Sequence, residues 1–154
     1  MPTLPVVLVD TREWKRHWDM SPMQSKFATL RTGDYGVEHP PLLARNLRIE
    51  RKTEPDFFKC MTQDRDRFER ELADLSHFPH RIVIVEMWYS DLIEGNYRSH
   101  MDKNAAFGTL MDWWQEYSIG FHFAGTRQHA IESAQRFILK AHEDYALALA
   151  AEGA

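Results

Sequence analysis

Acidic side chains occur where short strands are expected to end. Asp10 closes the apolar run PVVLVD, and Asp34 lies in a glycine turn. Glu50 and Lys52 are two residues apart in NLRIERK, so the alternation of side chains along a strand places both on one face. Asp56 follows four residues later. Because catalytic groups of α/β proteins commonly lie at strand ends and in the adjoining loops, we expect these five residues to form one site.

This set has the composition of a site for metal-dependent phosphodiester hydrolysis. Carboxylate oxygens are hard ligands that suit Mg²⁺ or Mn²⁺, which bind one or two protein carboxylates together with water and substrate phosphate. Such an ion lowers the pKa of a bound water and offsets negative charge on the phosphate. A neighbouring lysine can orient the water or stabilise that charge. Two acids followed by Glu-x-Lys also occur often by chance, so the pattern needs support from the surrounding elements.

Strand patterns and helix patterns alternate along the chain. Residues 11–32 give no clear pattern, the HPP stretch at 39–41 predicts a loop, and residues 90–104 predict a loop or a short frayed helix. Strands are predicted at 5–10, around 35–37, and at 46–52, 81–88 and 119–125, and helices at 66–78, 105–117 and after a capping Thr126. The alternation predicts a single α/β domain over residues 1–154 with a central mixed sheet.

The composition is that of an ordinary globular protein. The chain has 154 residues, of which 44% are hydrophobic and 27% charged, enough for one domain with a sizeable core. Its longest apolar run, VVLV, is too short to cross a bilayer, and the N-terminus carries no signal-peptide pattern. The single cysteine, Cys60, excludes an internal disulfide and suits a reducing, intracellular compartment.

The charge distribution is more informative than the net charge. A net charge of −4 gives no support to nucleic-acid binding, but an acidic site would itself lower the total. Basic residues gather at 12–18, 45–52 and 64–70. We expect Arg12, Lys15 and Arg16 to contact a DNA backbone, with a solvated helix face as the alternative.

The combination of motifs is less common than any of its parts. DTRE at 10–13 is followed by GDY at 33–35 and by IERKTEPD at 49–56. This order resembles the XPF-type family of structure-specific endonucleases, whose hallmark is GD, then ERK, then Asp after three further residues. The resemblance continues through DRDRFERELADL and RIVIVE and covers residues 5–145, nearly the whole chain.

The resemblance implies a restriction-endonuclease-like, three-layer α/β/α fold and DNA cleavage that depends on Mg²⁺ or Mn²⁺. It further implies that Asp34 and Glu50 are the main metal ligands, that Lys52 is the catalytic lysine, and that Asp10, also a candidate ligand, and Asp56 are supporting acids. Branched or otherwise structured DNA in repair or recombination is the implied substrate. We expect neither the helix-hairpin-helix repeats nor the helicase of larger members, and therefore a cytoplasmic protein of bacterial or phage type.

For several residues the sequence leaves two interpretations open. Arg12 and Glu13 belong to the DTRE element, whereas Arg51 could contact DNA phosphate or pair with a neighbouring acid. Glu86 ends a predicted strand and could face the site or solvent. One of Trp113 and Trp114 is expected in the core and the other in a dimer contact, since aromatic residues are enriched at interfaces.

Other functions are weighed against the nuclease. The eight histidines lack cysteine partners and an H-E-x-x-H motif, so no zinc site is expected. A non-catalytic domain that binds DNA or a partner is the main alternative, and the intact acid and lysine set argues against it. A nuclease for RNA or single strands stays open. We expect a homodimer that pairs through the C-terminal third, because one small acidic domain offers little area for DNA.

Overall fold

The computed structural model describes residues 3–153, and within them it contains one six-stranded sheet. The strands are β1 (Val7–Asp10), β2 (Ser25–Ala28), β3 (Tyr35–Val37), β4 (Leu47–Thr53), β5 (His80–Glu86) and β6 (Phe121–Phe123). The α-helices are α1 (Pro41–Asn46), α2 (Glu54–Met61), α3 (Arg65–Leu75), α4 (Tyr89–Glu94), α5 (Lys103–Tyr117) and α6 (Arg127–Glu152). A short 3-10 helix, Thr11–Glu13, follows β1 directly.

The sheet is mixed, as the sequence predicts. Its strand order is β2-β1-β3-β4-β5-β6. β3 runs antiparallel to both of its neighbours, β1 and β4, whereas the pairs β1–β2, β4–β5 and β5–β6 are parallel. The long pairing of β4 with β5 spans all seven residues of each strand, which makes this pair the centre of the domain.

Two hydrophobic cores lie on opposite faces of the sheet. On one face, α1 and α6 pack through Leu43, Ala134 and Ile138 against β1, β3 and β4. On the other face, α2, α3, α4 and α5 contribute Phe57, Phe68, Leu72, Leu92 and Trp113. Strand β5 supplies both cores, since Ile84 belongs to the first and Val83 and Val85 to the second. The predicted three-layer α/β/α arrangement is therefore confirmed.

Side-chain caps determine where three of the helices begin. Thr53 accepts a hydrogen bond from the backbone N–H of Asp56 and so begins α2 directly after β4. Asp102 accepts from two backbone N–H groups at the start of α5. Thr126 accepts from the N–H of His129 at 3.1 Å, which confirms the cap predicted for the last helix.

Three elements were not predicted, and each has a physical reason. β2 is an edge strand with the sequence SKFA and mostly exposed side chains, so it lacks the apolar pattern of a buried strand. α1 begins at Pro41 inside the stretch expected to be a loop, because proline is tolerated in the first turn of a helix. α2 likewise has Pro55 in its first turn, where proline is tolerated. Residues 90–104 contain the short helix α4, which continues to Glu94 before a loop.

The two adjacent tryptophans of α5 separate as expected. Trp113 is fully buried, whereas Trp114 is 50% exposed.

Between residues 3 and 153, no helix combines the length and the hydrophobicity that a membrane crossing requires.

Candidate active site

A cavity of about 380 Å³ opens where β3 and β4 meet α2 and α3. Residues from the glycine turn and from β4 line it, including Asp34, Glu50 and Lys52. Seven basic and seven acidic residues contribute to its lining, so equal numbers of the two charges occur there although the chain carries −4. The larger set comprises Arg12, Glu13, Arg16, Arg31, Asp34, Glu50, Arg51, Lys52, Asp56, Lys59, Asp64, Arg67, Glu71 and Asp74.

The glycine turn fixes the position of Asp34. Gly33 has φ +77°, and an added Cβ would lie 3.2 Å from Cβ of Arg48 and 3.3 Å from the carbonyl oxygen of Ile49, so a side chain at this position would be strained. The N–H of Asp34 donates to the carbonyl of Ile49, and its own carbonyl accepts from the N–H of Asp10, both at 2.9 Å. Asp34 is thus fixed between β1 and β4.

The carboxyl groups of Asp34 and Glu50 lie within hydrogen-bonding reach of each other, and both residues are buried. Burial raises the pKa of Asp34, although the backbone N–H of Arg51 donates to its Oδ2 at 2.8 Å. Burial first, and then the charge of Asp34, raise the pKa of Glu50 well above its usual range. Two acids held this closely either share a proton or bind a cation.

Lys52 completes the group on the same face of β4. Its Nζ lies 3.5 Å from Oε1 of Glu50 and 4.7 Å from the centre of the Phe68 ring. Burial by itself lowers the pKa of Lys52, but the neighbouring acidic groups, Glu50 foremost, raise it overall. The ammonium therefore stays charged inside the cavity. The thiol of Cys60 also lies against Lys52, and burial raises the pKa of that thiol.

Asp10, predicted as a metal ligand and catalytic acid, is not among the residues that line the cavity. Its side chain is buried, and its Oδ1 accepts from the N–H of Leu30 at 2.8 Å. Its Oδ2 accepts from both the backbone N–H and Nε of Arg12. Burial alone raises the pKa of Asp10, but these hydrogen bonds lower it overall. Asp10 caps the 3-10 helix and holds the chain before the glycine turn.

The side chain of Arg51 points to the opposite face of β4, where it pairs with two acids. Its Nη1 lies 2.9 Å from Oε2 of Glu13, its Nε lies 3.1 Å from Oε1 of Glu86, and its side chain is 5% exposed. Of the two interpretations of Arg51, a DNA contact and a pair with a neighbouring acid, the structure contains the acid pair. The same group includes Trp18, whose Nε1 donates to Glu86, and Tyr35, whose hydroxyl donates to Glu13. Glu13 and Glu86 thus support β4 from beneath the cavity.

The remaining predicted residues lie at the mouth of the cavity or near it. Asp56 is partly exposed in the first turn of α2, 3.9 Å from Arg16, while Arg12 pairs with Asp10. Lys15 is exposed but is not among the lining residues.

Sequence reasoning missed six charged residues of the cavity lining, namely Arg31, Lys59, Asp64, Arg67, Glu71 and Asp74. Arg31 precedes the glycine turn, Lys59 lies on α2, and Arg67 and Glu71 lie one turn apart on α3. The negative charge of Glu71 contributes to the raised pKa of Glu50. The helical spacing of Arg67 and Glu71 in a basic-flanked helix was the available signal, but it could not show which helix face meets β4.

The donor set fits a hard divalent cation with few protein ligands. Within residues 3–153, no group of three or more histidine, cysteine or acidic residues is placed to hold a metal ion. The pair Asp34 and Glu50 nevertheless provides the one or two carboxylates that Mg²⁺ and Mn²⁺ use when water and substrate phosphate complete the coordination. A cation would also relieve the repulsion that the burial of this pair creates.

A family model of the ERCC4 domain matches residues 9–137. The chain belongs to the ERCC4-domain family. The resemblance to XPF-type nucleases that the motifs indicated is thereby confirmed. The matched range of this ERCC4 domain includes the cavity and its supporting residues.

Two solved structures show the same fold as this ERCC4 domain. XPF from Aeropyrum pernix in complex with DNA matches with a TM-score of 0.71, 20% identity and coverage of 92% of this chain. A second structure, XPF from Aeropyrum pernix, matches with a TM-score of 0.69, 22% identity and coverage of 89% of this chain. The chain spans 66% and 61% of those solved chains. The expected restriction-endonuclease-like fold is confirmed, whereas no curated protein sequence is significantly similar.

Proposed function

We propose that this ERCC4 domain is a DNA endonuclease that depends on Mg²⁺ or Mn²⁺. The observation that carries the proposal is the contact between the carboxyl groups of Asp34 and Glu50 inside a polar cavity, with Nζ of Lys52 3.5 Å from Glu50. Burying two acids together costs free energy in the folded protein. A metal ion bound there for hydrolysis would account for this arrangement.

Asp34 and Glu50 would hold the metal ion, which supplies an acidified water and positive charge next to the phosphate. Lys52 keeps its proton because of the acidic groups around it. It therefore acts as a positioned cation that can donate hydrogen bonds to the attacking water or to a phosphate oxygen. Asp56 at the mouth is a supporting acid, placed to accept a hydrogen bond from water or to hold Arg16 in position.

The cations of the cavity mouth would hold the DNA backbone. Arg31 has no ion pair within the described residues, and Arg12 and Arg16 lie on the same side of the mouth. A bound divalent cation would make the lining more positive, which favours a polyanionic substrate. Lys15, although outside the lining, adds to the same exposed basic surface.

Branched or otherwise structured DNA is the substrate we propose, bound by a homodimer. The relative described as XPF in complex with DNA supports DNA as the ligand. Exposed apolar side chains on the last two helices, namely Trp114, Leu139, Leu147 and Leu149, support a dimer contact in the C-terminal third. Two copies would double the basic surface without a further domain.

A cleavage assay tests the proposal. Plasmid, single-stranded and branched DNA are incubated with Mg²⁺, Mn²⁺ or EDTA, using the wild type, Glu50→Gln and the matched control Glu132→Gln, whose carboxylate is exposed on α6. The nuclease predicts cleavage by the wild type and the control, and none by Glu50→Gln or in EDTA. DNA binding by a wild type that never cleaves would favour the non-catalytic alternative.

A further inference from the structure

Three aromatic side chains form an exposed cluster at the edge of the sheet that β2 closes. Trp14 is 63% exposed and Phe27 is 40% exposed. Their ring centroids are 5.1 Å apart, and the ring of His17 lies 5.0 Å from that of Phe27. Neither hydrophobic core includes these residues. We name Trp14, His17 and Phe27 the edge cluster.

Local contacts hold the edge cluster in place. The Nδ1 of His17 lies 3.1 Å from the carbonyl oxygen of Trp14, which closes the turn after the 3-10 helix. Phe27 pairs in register with Val9 of β1, so its backbone is part of the sheet. An aromatic plane that is fixed in this way loses little conformational entropy when a ligand covers it.

The edge cluster is close in the chain to cationic residues that line the cavity. Trp14 is two residues from both Arg12 and Arg16, which line the cavity, and Phe27 is four residues before Arg31. Lys15 is exposed between them. Arg12 and Arg16 lie next to Asp10 and Asp56, so Lys15 and Arg31, which have no ion pair within the described residues, supply the unpaired positive charge near the cluster. It fits a ligand that is both anionic and aromatic.

We propose that the edge cluster binds single-stranded DNA by stacking an unpaired base on Trp14, next to the cavity in which the backbone is cut. Base stacking on aromatic side chains flanked by cations is a general way to bind single strands. A base that is paired within a duplex has no free face to offer. The inference rests on the proposed nuclease function and assigns to Trp14 the contact with an unpaired base.

The test measures DNA affinity in EDTA, where cleavage cannot interfere. Fluorescence anisotropy compares oligo(dT) with a blunt duplex for the wild type, Trp14→Ala, Trp14→Phe, Phe27→Ala and the control Trp88→Ala, whose tryptophan is 48% exposed next to α4. Trp14→Ala is expected to weaken oligo(dT) binding about 5- to 100-fold and to leave duplex binding unchanged. Trp14→Phe should restore most of the affinity, and the control should match the wild type.

Tryptophan fluorescence gives a second readout. Oligo(dT) should quench the wild type more than Trp14→Phe, because stacking places the base against the indole. Equal oligo(dT) affinity of Trp14→Ala and wild type, or equal losses for oligo(dT) and duplex, would overturn the stacking role. A change of oligomeric state in Trp14→Ala would instead make the edge cluster a protein contact and also overturn it. If the wild type cuts no DNA but the stacking result holds, only the nuclease proposal fails.

Discussion

Arg51 donates a hydrogen bond from Nε to Oε1 of Glu86 at 3.1 Å, joining the central strands β4 and β5 beneath the cavity. The same carboxylate oxygen accepts from Nε1 of Trp18 and lies 3.7 Å from Nη1 of Arg127 at the start of α6. Glu13 neutralises the other side of the guanidinium at 2.9 Å. The candidate metal pair on one face of the sheet therefore rests on a neutralised network on the other face.

Replacing Arg51 by Met should destabilise the domain by about 3 kcal/mol, because it leaves Glu13 and Glu86 with uncompensated buried charge. The loss should not be larger, since Glu86 keeps Trp18 and Arg127 as partners. Urea unfolding measures it. Arg136→Ala, which removes an exposed pair with Glu132, should change stability by less than about 0.5 kcal/mol. Equal effects of the two changes would contradict the role of the buried network.

Replacing Lys52 by Ala should reduce kcat about 100-fold or more while DNA affinity changes little. A positioned cation acts mainly on charge that develops in the transition state. Single-turnover cleavage and anisotropy in EDTA separate the two quantities. Lys140→Ala on α6, which removes an exposed pair with Asp144, is the control and should cleave at the wild-type rate. Parallel losses of rate and affinity would make Lys52 a phosphate anchor.

Asp34→Asn and Glu50→Gln should each weaken Mn²⁺ binding by more than about 10-fold, because each removes one of two carboxylate ligands. Asp10→Asn should retain Mn²⁺ binding, since Asp10 lies outside the cavity lining. Calorimetry with Mn²⁺ checks all three variants, and circular dichroism confirms that they are folded. Metal affinity that depends on Asp10 as strongly as on Glu50 would contradict the proposed ligand pair of Asp34 and Glu50.

In the absence of metal, Asp34→Asn should make the domain more stable than the wild type by about 1 kcal/mol at pH 8. Burial raises the pKa of Asp34, and burial and Asp34 raise that of Glu50. The stability due to their neutral forms is thus present below the ordinary carboxyl pKa of about 4 and is lost as pH rises through the raised values. Urea unfolding in EDTA between pH 4 and pH 8 should show the advantage of the variant growing with pH. A constant difference would contradict the paired titration.

Light scattering at micromolar concentration should give twice the chain mass of 18.2 kDa. Trp114→Glu places a charge on the exposed face of α5 and should yield the single-chain mass, because an unpaired charge at an apolar contact is costly. Trp14→Ala, at the opposite edge of the sheet, should remain dimeric. A wild type that scatters as one chain with DNA present would exclude the dimer.

The sequence predicted the elements whose pattern reflects burial. β4 and β5 carry the apolar alternation of central strands, and Glu50 and Lys52 share a face because they are two residues apart. β2 was not predicted because an edge strand has no pattern of buried residues. α1 was not predicted because Pro41 suggests a loop, although a helix can begin at a proline.

The arrangement of side chains at the site depends on contacts that a sequence does not show. Asp10 ends a strand next to Asp34, as expected, yet its side chain turns back to Leu30 and Arg12. A sequence shows that an acid lies at a strand end but not which backbone N–H groups it accepts from. Arg31 and Glu71 reach the cavity from a loop and from a helix face, and neither position follows from spacing alone.

The alternation of Glu50, Arg51 and Lys52 has a consequence for the evolution of this chain. Inserting or deleting one residue early in β4 would exchange the two faces, moving the guanidinium into the cavity and the acid and ammonium into the core packing. Point substitutions around the cavity mouth leave the alternation of side chains between the two faces of β4 unchanged. Homologous chains should therefore accommodate changes of loop length on either side of β4 without losing this alternation, whereas a change of length within the strand should abolish both folding and the candidate site.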